Sequence, residues 1–206
     1  MNKKYEFTGE TTEVNGIELK RIRAIRDFGE IDKGDLGGWI QKEENLSHSG
    51  NAWVYYNAKV YGNAIILDNA RICNKAEVFD SATVCGNVKA FDEARIYGNA
   101  KVFGNAIVFG DAEIYGNAEI YGNAKVCYNA KVAKPKHTIL FTSVGSRNDT
   151  LTAFKTKTGF SIKVGCFFGN LEQFLEKVKK THGDNKYAKE YEAIAEVIKI
   201  RFSEED

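Results

Sequence analysis

Residues 51–134 are fourteen six-residue units of the pattern Asn-Ala-x-Val-Tyr-Gly, joined without an insertion. Alanine returns at every sixth residue from Ala52 to Ala130, with Val88 the one substitution. Val or Ile returns in the same rhythm from Val54 to Val132, with Ala90 the one substitution. The two exceptions share a unit and trade places, so its apolar volume is kept, a swap that packed cores tolerate. A period of six excludes an α-helix, whose period is 3.6 and which the recurrent Gly-Asn pair would break. Ala-x-Val-Tyr instead alternates in the two-residue rhythm of a strand, Ala and Val to one side, x and the aromatic to the other. Gly-Asn, as at Gly98-Asn99 and Gly116-Asn117, is the pair that turns a chain cheaply. Units this short cannot bury their own apolar side, so they must stack.

The spacing of an aliphatic residue and a small one four positions later, as in Val60 to Ala64, Ile96 to Ala100 and Ile120 to Ala124, resembles the hexapeptide-repeat left-handed parallel β-helix family. The resemblance implies a triangular coil of three units, about 18 residues per turn. The position after the aliphatic is Tyr, Phe, Leu or Cys here, where the family's enzymes commonly carry a small or acidic residue. A right-handed three-sided helix is therefore the alternative. Residues 18 apart on one face would lie about 4.8 Å from each other. One outward row then reads Lys59, Glu77, Arg95, Glu113, Lys131, in strict alternation of charge. Opposite charges side by side on a sheet are favourable. The units make about four and two-thirds coils, roughly 22 Å long.

Three segments are expected. Residues 1–50 read as a β capping module, with a hairpin at Val14-Asn15-Gly16 and a large anchor at Trp39 beside two flexible glycines, Gly37 and Gly38. Asn45-Leu46-Ser47-His48 reads as a degenerate unit in phase with the rest, His48 pointing inward. Residues 51–134 form the β-helix. Pro135 ends it, since proline suits a strand edge or a boundary. Residues 135–206 read as an α+β recognition module of three strands and two helices, the first helix capped by Asn170 with Gln173. The 1–134 segment, with Gly34-Asp35-Leu36-Gly37-Gly38-Trp39 ahead of Tyr-Gly-Asn-Ala repeats, is also similar to bacteriophage and prophage hexapeptide-repeat, polymer-forming proteins. That likeness implies a fold and hardly any chemistry.

Function is read from the outer faces and from what is missing. The family's enzymes are acyltransferases with a histidine base and zinc-dependent carbonic anhydrases with three histidines. This chain has His48, His137 and His182, none among the regular units, and no loop leaves the coils. A non-enzymatic protein without cofactor or metal is expected. One face stacks Leu67, Cys85, Phe103 and Tyr121 beside Ile65 and Thr83, an apolar surface that marks an interface, most simply of a homotrimer. Another stacks Tyr55, Phe91 and Phe109 beside Arg71, Lys89 and Lys125, with Trp53 and Ile107. Aromatics among cations suit a host or phage protein partner, with a nucleotide as the alternative ligand. Ser146 and Arg147, in the loop 145–150, offer a hydroxyl and a guanidinium to an anion. A net charge of +1 gives no global pull toward nucleic acid or membrane, and no apolar run of membrane-spanning length occurs. The cytoplasm, that of the host for a phage protein, is the expected compartment. Cys73, Cys85 and Cys127 read as small apolar surface residues of a reducing compartment.

Overall fold

The computed structural model describes residues 3–203. The chain is mainly β. Each six-residue unit contributes one short strand, β4 (Trp53–Val54) through β17 (Lys131–Val132) in chain order, and strands 18 residues apart stack in parallel. Three sheets result, holding the strands at 59, 77, 95, 113 and 131; at 53, 71, 89, 107 and 125; and at 65, 83, 101 and 119. Every inward Ala, Val and Ile from Ala52 to Val132, the exchanged Val88 and Ala90 included, is 0 % exposed. Burying one such Val or Ile contributes about 1.5–3 kcal/mol.

The corner residue at every sixth position from Gly50 to Tyr128 has positive φ. Glycine fills most corners because a Cβ at Gly86 would lie 2.7 Å from Gly104 O of the next coil. Aspartate fills three others and gains a bond there. Asp68, Asp80 and Asp92 accept from Gly86 N–H (2.9 Å), Gly98 N–H (3.1 Å) and Gly110 N–H (3.3 Å), one coil on. Beside the corners runs an amide ladder, Asn51–Asn69–Asn87–Asn105–Asn123, each Nδ2 donating to the next Oδ1 at 3.0–3.3 Å.

At the N-terminal end, β1 (Tyr5–Val14) and β2 (Ile17–Ala24) form an antiparallel hairpin through Asn15 and Gly16, both at positive φ. β3 (Leu36–Ile40) pairs antiparallel with β2 and parallel with the strand at Lys59–Val60, so stacking starts here. Trp39 pairs with Lys59 and Leu46 bridges Ile66, offsets of 20 residues rather than 18. The 45–48 segment is thus two residues out of phase with the expectation. Leu46 takes the inward slot that suits an aliphatic side chain, and His48 is displaced to stack beneath Tyr5 at 4.4 Å. The anchor also differs. Trp39 is half-buried, whereas Trp53 is 1 % exposed under Tyr5 and Phe28. Gly37 and Gly38 serve close packing rather than flexibility: their Cβ atoms would lie 2.7 Å from Trp53 and 2.6 Å from Ala58 O. Lys4, fully buried, donates from Nζ to Ala52 O (2.8 Å) and Gly50 O (3.3 Å). Burial, then Arg26, pushes its pKa down to about 8.

Beyond the 3-10 turn Pro135–His137 stands a four-stranded antiparallel sheet, one strand more than expected. It comprises β18 (Thr138–Val144), β19 (Asp149–Thr156), β20 (Gly159–Val164) and β21 (Phe167–Gly169). Helices α1 (Leu171–His182) and α2 (Lys186–Ser203) pack on it through Phe174, Val178, Tyr191, Ile194 and Ile198. Asn170 and Gln173 form the expected reciprocal cap, both bonds 2.9 Å. This sheet also closes the β-helix. Thr156 bridges Ala130, and Phe154 is fully buried in the core of the coils.

Candidate binding faces and cleft

The first sheet places Lys59, Glu77, Arg95, Glu113 and Lys131 in one register line, as the 18-residue spacing requires. Glu77 sits between Lys59 Nζ (3.4 Å) and Arg95 Nε (3.8 Å), and Glu113 pairs with Lys131. Burial alone would raise the Glu113 carboxyl, but bonds from Lys131 and Tyr97, with Arg95 nearby, outweigh it and hold the pKa below the ordinary value. The neighbouring row was missed in the sequence. Tyr61, Phe79, Tyr97 and Tyr115 stack almost parallel at 4.8–5.3 Å, with Arg95 over two of the rings. The signal was the same 18-residue count, applied to the position after the aliphatic.

The aromatic–cation face lies on the second sheet, where Arg71, Lys89, Ile107 and Lys125 are in register. Phe91 and Phe109 stack at 5.2 Å, and Tyr55 is half-buried at the N-terminal end. Trp53, expected on this face, is not on the surface: the N-terminal hairpin covers it. Arg71 is held by Glu30 at 2.8 Å, a bond that lowers the Glu30 pKa, so Lys89 is the more exposed cation of the row. Lys125 faces Asp149 at 3.9 Å and its N–H donates to Thr152 Oγ1 at 3.1 Å, which joins this face to the C-terminal sheet. Two tyrosines were missed. Tyr56 (66 % exposed) and Tyr128 (49 %) take corner positions at φ 53°, where a bulky residue is strained. Tyr128 is held against Phe168 at 4.5 Å. Cys127 is not a surface residue either: the C-terminal sheet buries it completely, and burial pushes its thiol up to about 12.

On the third sheet Phe103 and Tyr121 stack at 5.8 Å, 37 % and 50 % exposed, beside Ile65 at 39 % and a half-buried Leu67. These four share one face, as the spacing predicts.

The loop 145–150 is pinned rather than free. Gly145 N–H donates to Glu190 Oε2 at 2.9 Å, and a Cβ there would strike Tyr191 Oη at 2.0 Å. Exposed Ser146 and Arg147 border a cleft of about 290 Å³ with Asp149, Cys166, Lys177 and His182. His182 packs against Tyr187 and Tyr191, while Asp149 Oδ1 accepts from Thr150 N–H at 2.7 Å and faces Lys125. His48 has a carboxylate neighbour, Glu43, 3.7 Å from Nε2, but that nitrogen has no accessible surface, and burial lowers its pKa. It cannot reach a substrate proton in this conformation. Among the described residues no group of three His, Cys, Asp or Glu is placed to hold a metal ion, and no helix is long and apolar enough to cross a membrane.

The YdcK beta solenoid repeat matches residues 94–110, which carry the Arg95 strand, the stacked Tyr97 and Phe103, and Phe109. A protein of Escherichia coli K12, described as the uncharacterized acetyltransferase YdcK, is 44 % identical over 39 residues. That stretch is 19 % of this chain and 12 % of the YdcK protein, so most of both chains lies outside the likeness.

Proposed function

We propose that this chain is a non-enzymatic binding scaffold that works as a homotrimer, assembled through the Ile65, Leu67, Phe103 and Tyr121 face. The exposed, stacked Phe103–Tyr121 pair carries the reading, since an apolar row of this kind on a soluble surface marks a contact. The aromatic–cation face of Tyr55, Lys89, Phe91 and Phe109 and the C-terminal module would then meet the partner, a host or phage protein. We place it in the host cytoplasm as a phage or prophage product; the support is the resemblance of residues 1–134. A variant of this reading is a counter-defence inhibitor that blocks a host protein or sequesters a nucleotide signal. Light scattering tests the assembly. A mass near three times 23.0 kDa, falling to one copy in Phe103→Glu/Tyr121→Glu, is expected; a single copy in the parent chain at micromolar concentration refutes it.

A second reading, acyl transfer, rests on the name borne by the E. coli relative. Acyl transfer from acyl-CoA that vanishes in His182→Ala or His48→Ala would establish it. Inactivity of the parent chain with acyl-CoA, together with trimeric mass, favours the scaffold.

A further inference from the structure

At the far end of the molecule a second cleft, about 630 Å³, opens between the Pro135–His137 turn, the β19–β20 hairpin and the last turn of α2. Its wall holds Lys136, His137, Lys155, Lys157 and Arg201, with Phe202, and no carboxylate among the described lining residues. This departs from the habit of the chain. Cations and acids nearly balance overall, at 29 against 28, and along the coils they alternate in pairs such as Lys59–Glu77, Lys75–Glu93 and Lys101–Glu119. Here, among the described residues, one sign is gathered around one cavity. The α2 C-terminus adds roughly half a negative charge, less than any one of Lys155, Lys157 and Arg201.

We propose that this cleft binds a nucleotide, its phosphates among Lys155, Lys157 and Arg201 and its base against Phe202. The volume lies in the range of small-molecule sites. Phe202 is half-buried and braced by Phe160, whose ring is stacked at 4.9 Å and 13°, so it offers a fixed flat surface beside the charges. Thr158, on the hairpin, adds a hydroxyl. His137 is oriented: Nδ1 accepts from Ala133 N–H at 3.2 Å, which in the neutral ring leaves the proton on Nε2 as a donor. Burial, then Lys155, Lys134 and Lys136, keeps that ring neutral by lowering its pKa. A bound anion reverses the electrostatic part of that balance, so His137 reports occupancy.

ATP is the probe, measured by calorimetry against tripolyphosphate and adenosine with the whole chain. ATP is expected to bind and to weaken with salt. Lys157→Glu and Arg201→Glu, both at exposed positions, should each weaken it about tenfold or more, the scale of a lost charge-assisted bond. Phe202→Ala should remove the advantage of ATP over tripolyphosphate. In NMR titration the His137 pKa should rise when ATP is added. Absence of ATP binding at millimolar concentration, equal binding of tripolyphosphate, or affinity untouched by both Glu variants overturns the proposal. Displacement of ATP only by single-stranded RNA bound far more tightly would overturn it in favour of a nucleic-acid groove.

Discussion

The backbone of Thr156 bridges that of Ala130, and this contact ties β19 to the last coil of the β-helix. Two residues earlier Phe154 enters the core, so the C-terminal module is the lid of the solenoid. Phe154→Ala should cost about 3–5 kcal/mol, read as a lower midpoint in urea denaturation. Removal of residues 136–206 should expose the coil core and bring aggregation, not merely loss of a partner.

Acid stability should depend on Glu113. A carboxyl with a lowered folded pKa stabilises fully above its unfolded value, 4.5, and that contribution disappears as the pH falls through the folded value. Glu113→Gln should lower stability at pH 7 and flatten the loss below about pH 4.5, as shown by denaturation at stepped pH.

Gly38→Ala tests the packing account of the N-terminal glycines. With Ala58 O 2.6 Å from the new Cβ, backbone must move, and about 1–3 kcal/mol of destabilisation is expected. A thermal midpoint equal to the parent's would show that the glycines serve chain flexibility.

The four free cysteines should react in a set order with a disulfide reagent. Cys166, exposed, comes first; Cys73 and Cys85, half-buried with raised pKa, follow; Cys127 reacts only on unfolding. Early modification of Cys127 would mean that the C-terminal sheet does not stay seated.

The repeat was legible because period, alternation and corner residues all state one geometry, and the register line from Lys59 to Lys131 could be counted without coordinates. What was not legible lies where two segments meet. Trp53 occupies an outward position of its unit, and only the covering hairpin makes it core. Cys127 is buried for the same reason at the other end. The slip at Leu46 was hidden because His48 and Leu46 both fit a degenerate unit, and the choice depended on Tyr5 waiting to stack with the histidine. Arg71 belongs to the expected face, but its partner Glu30 comes from a loop the pattern does not place. The basic cleft joins residues from three elements distant in sequence, which no spacing rule connects.

The asparagine ladder gives the solenoid a unit of length. A duplicated stretch of 18 residues would restore every hydrogen bond and carry the two end caps apart by about 4.8 Å without turning one against the other. A stretch of six would rotate the C-terminal module by a third of a revolution and present it over a different face. The molecule is therefore a ruler with a phase: chain length sets how far apart its two ends work, and the remainder after whole coils sets which way the second end looks.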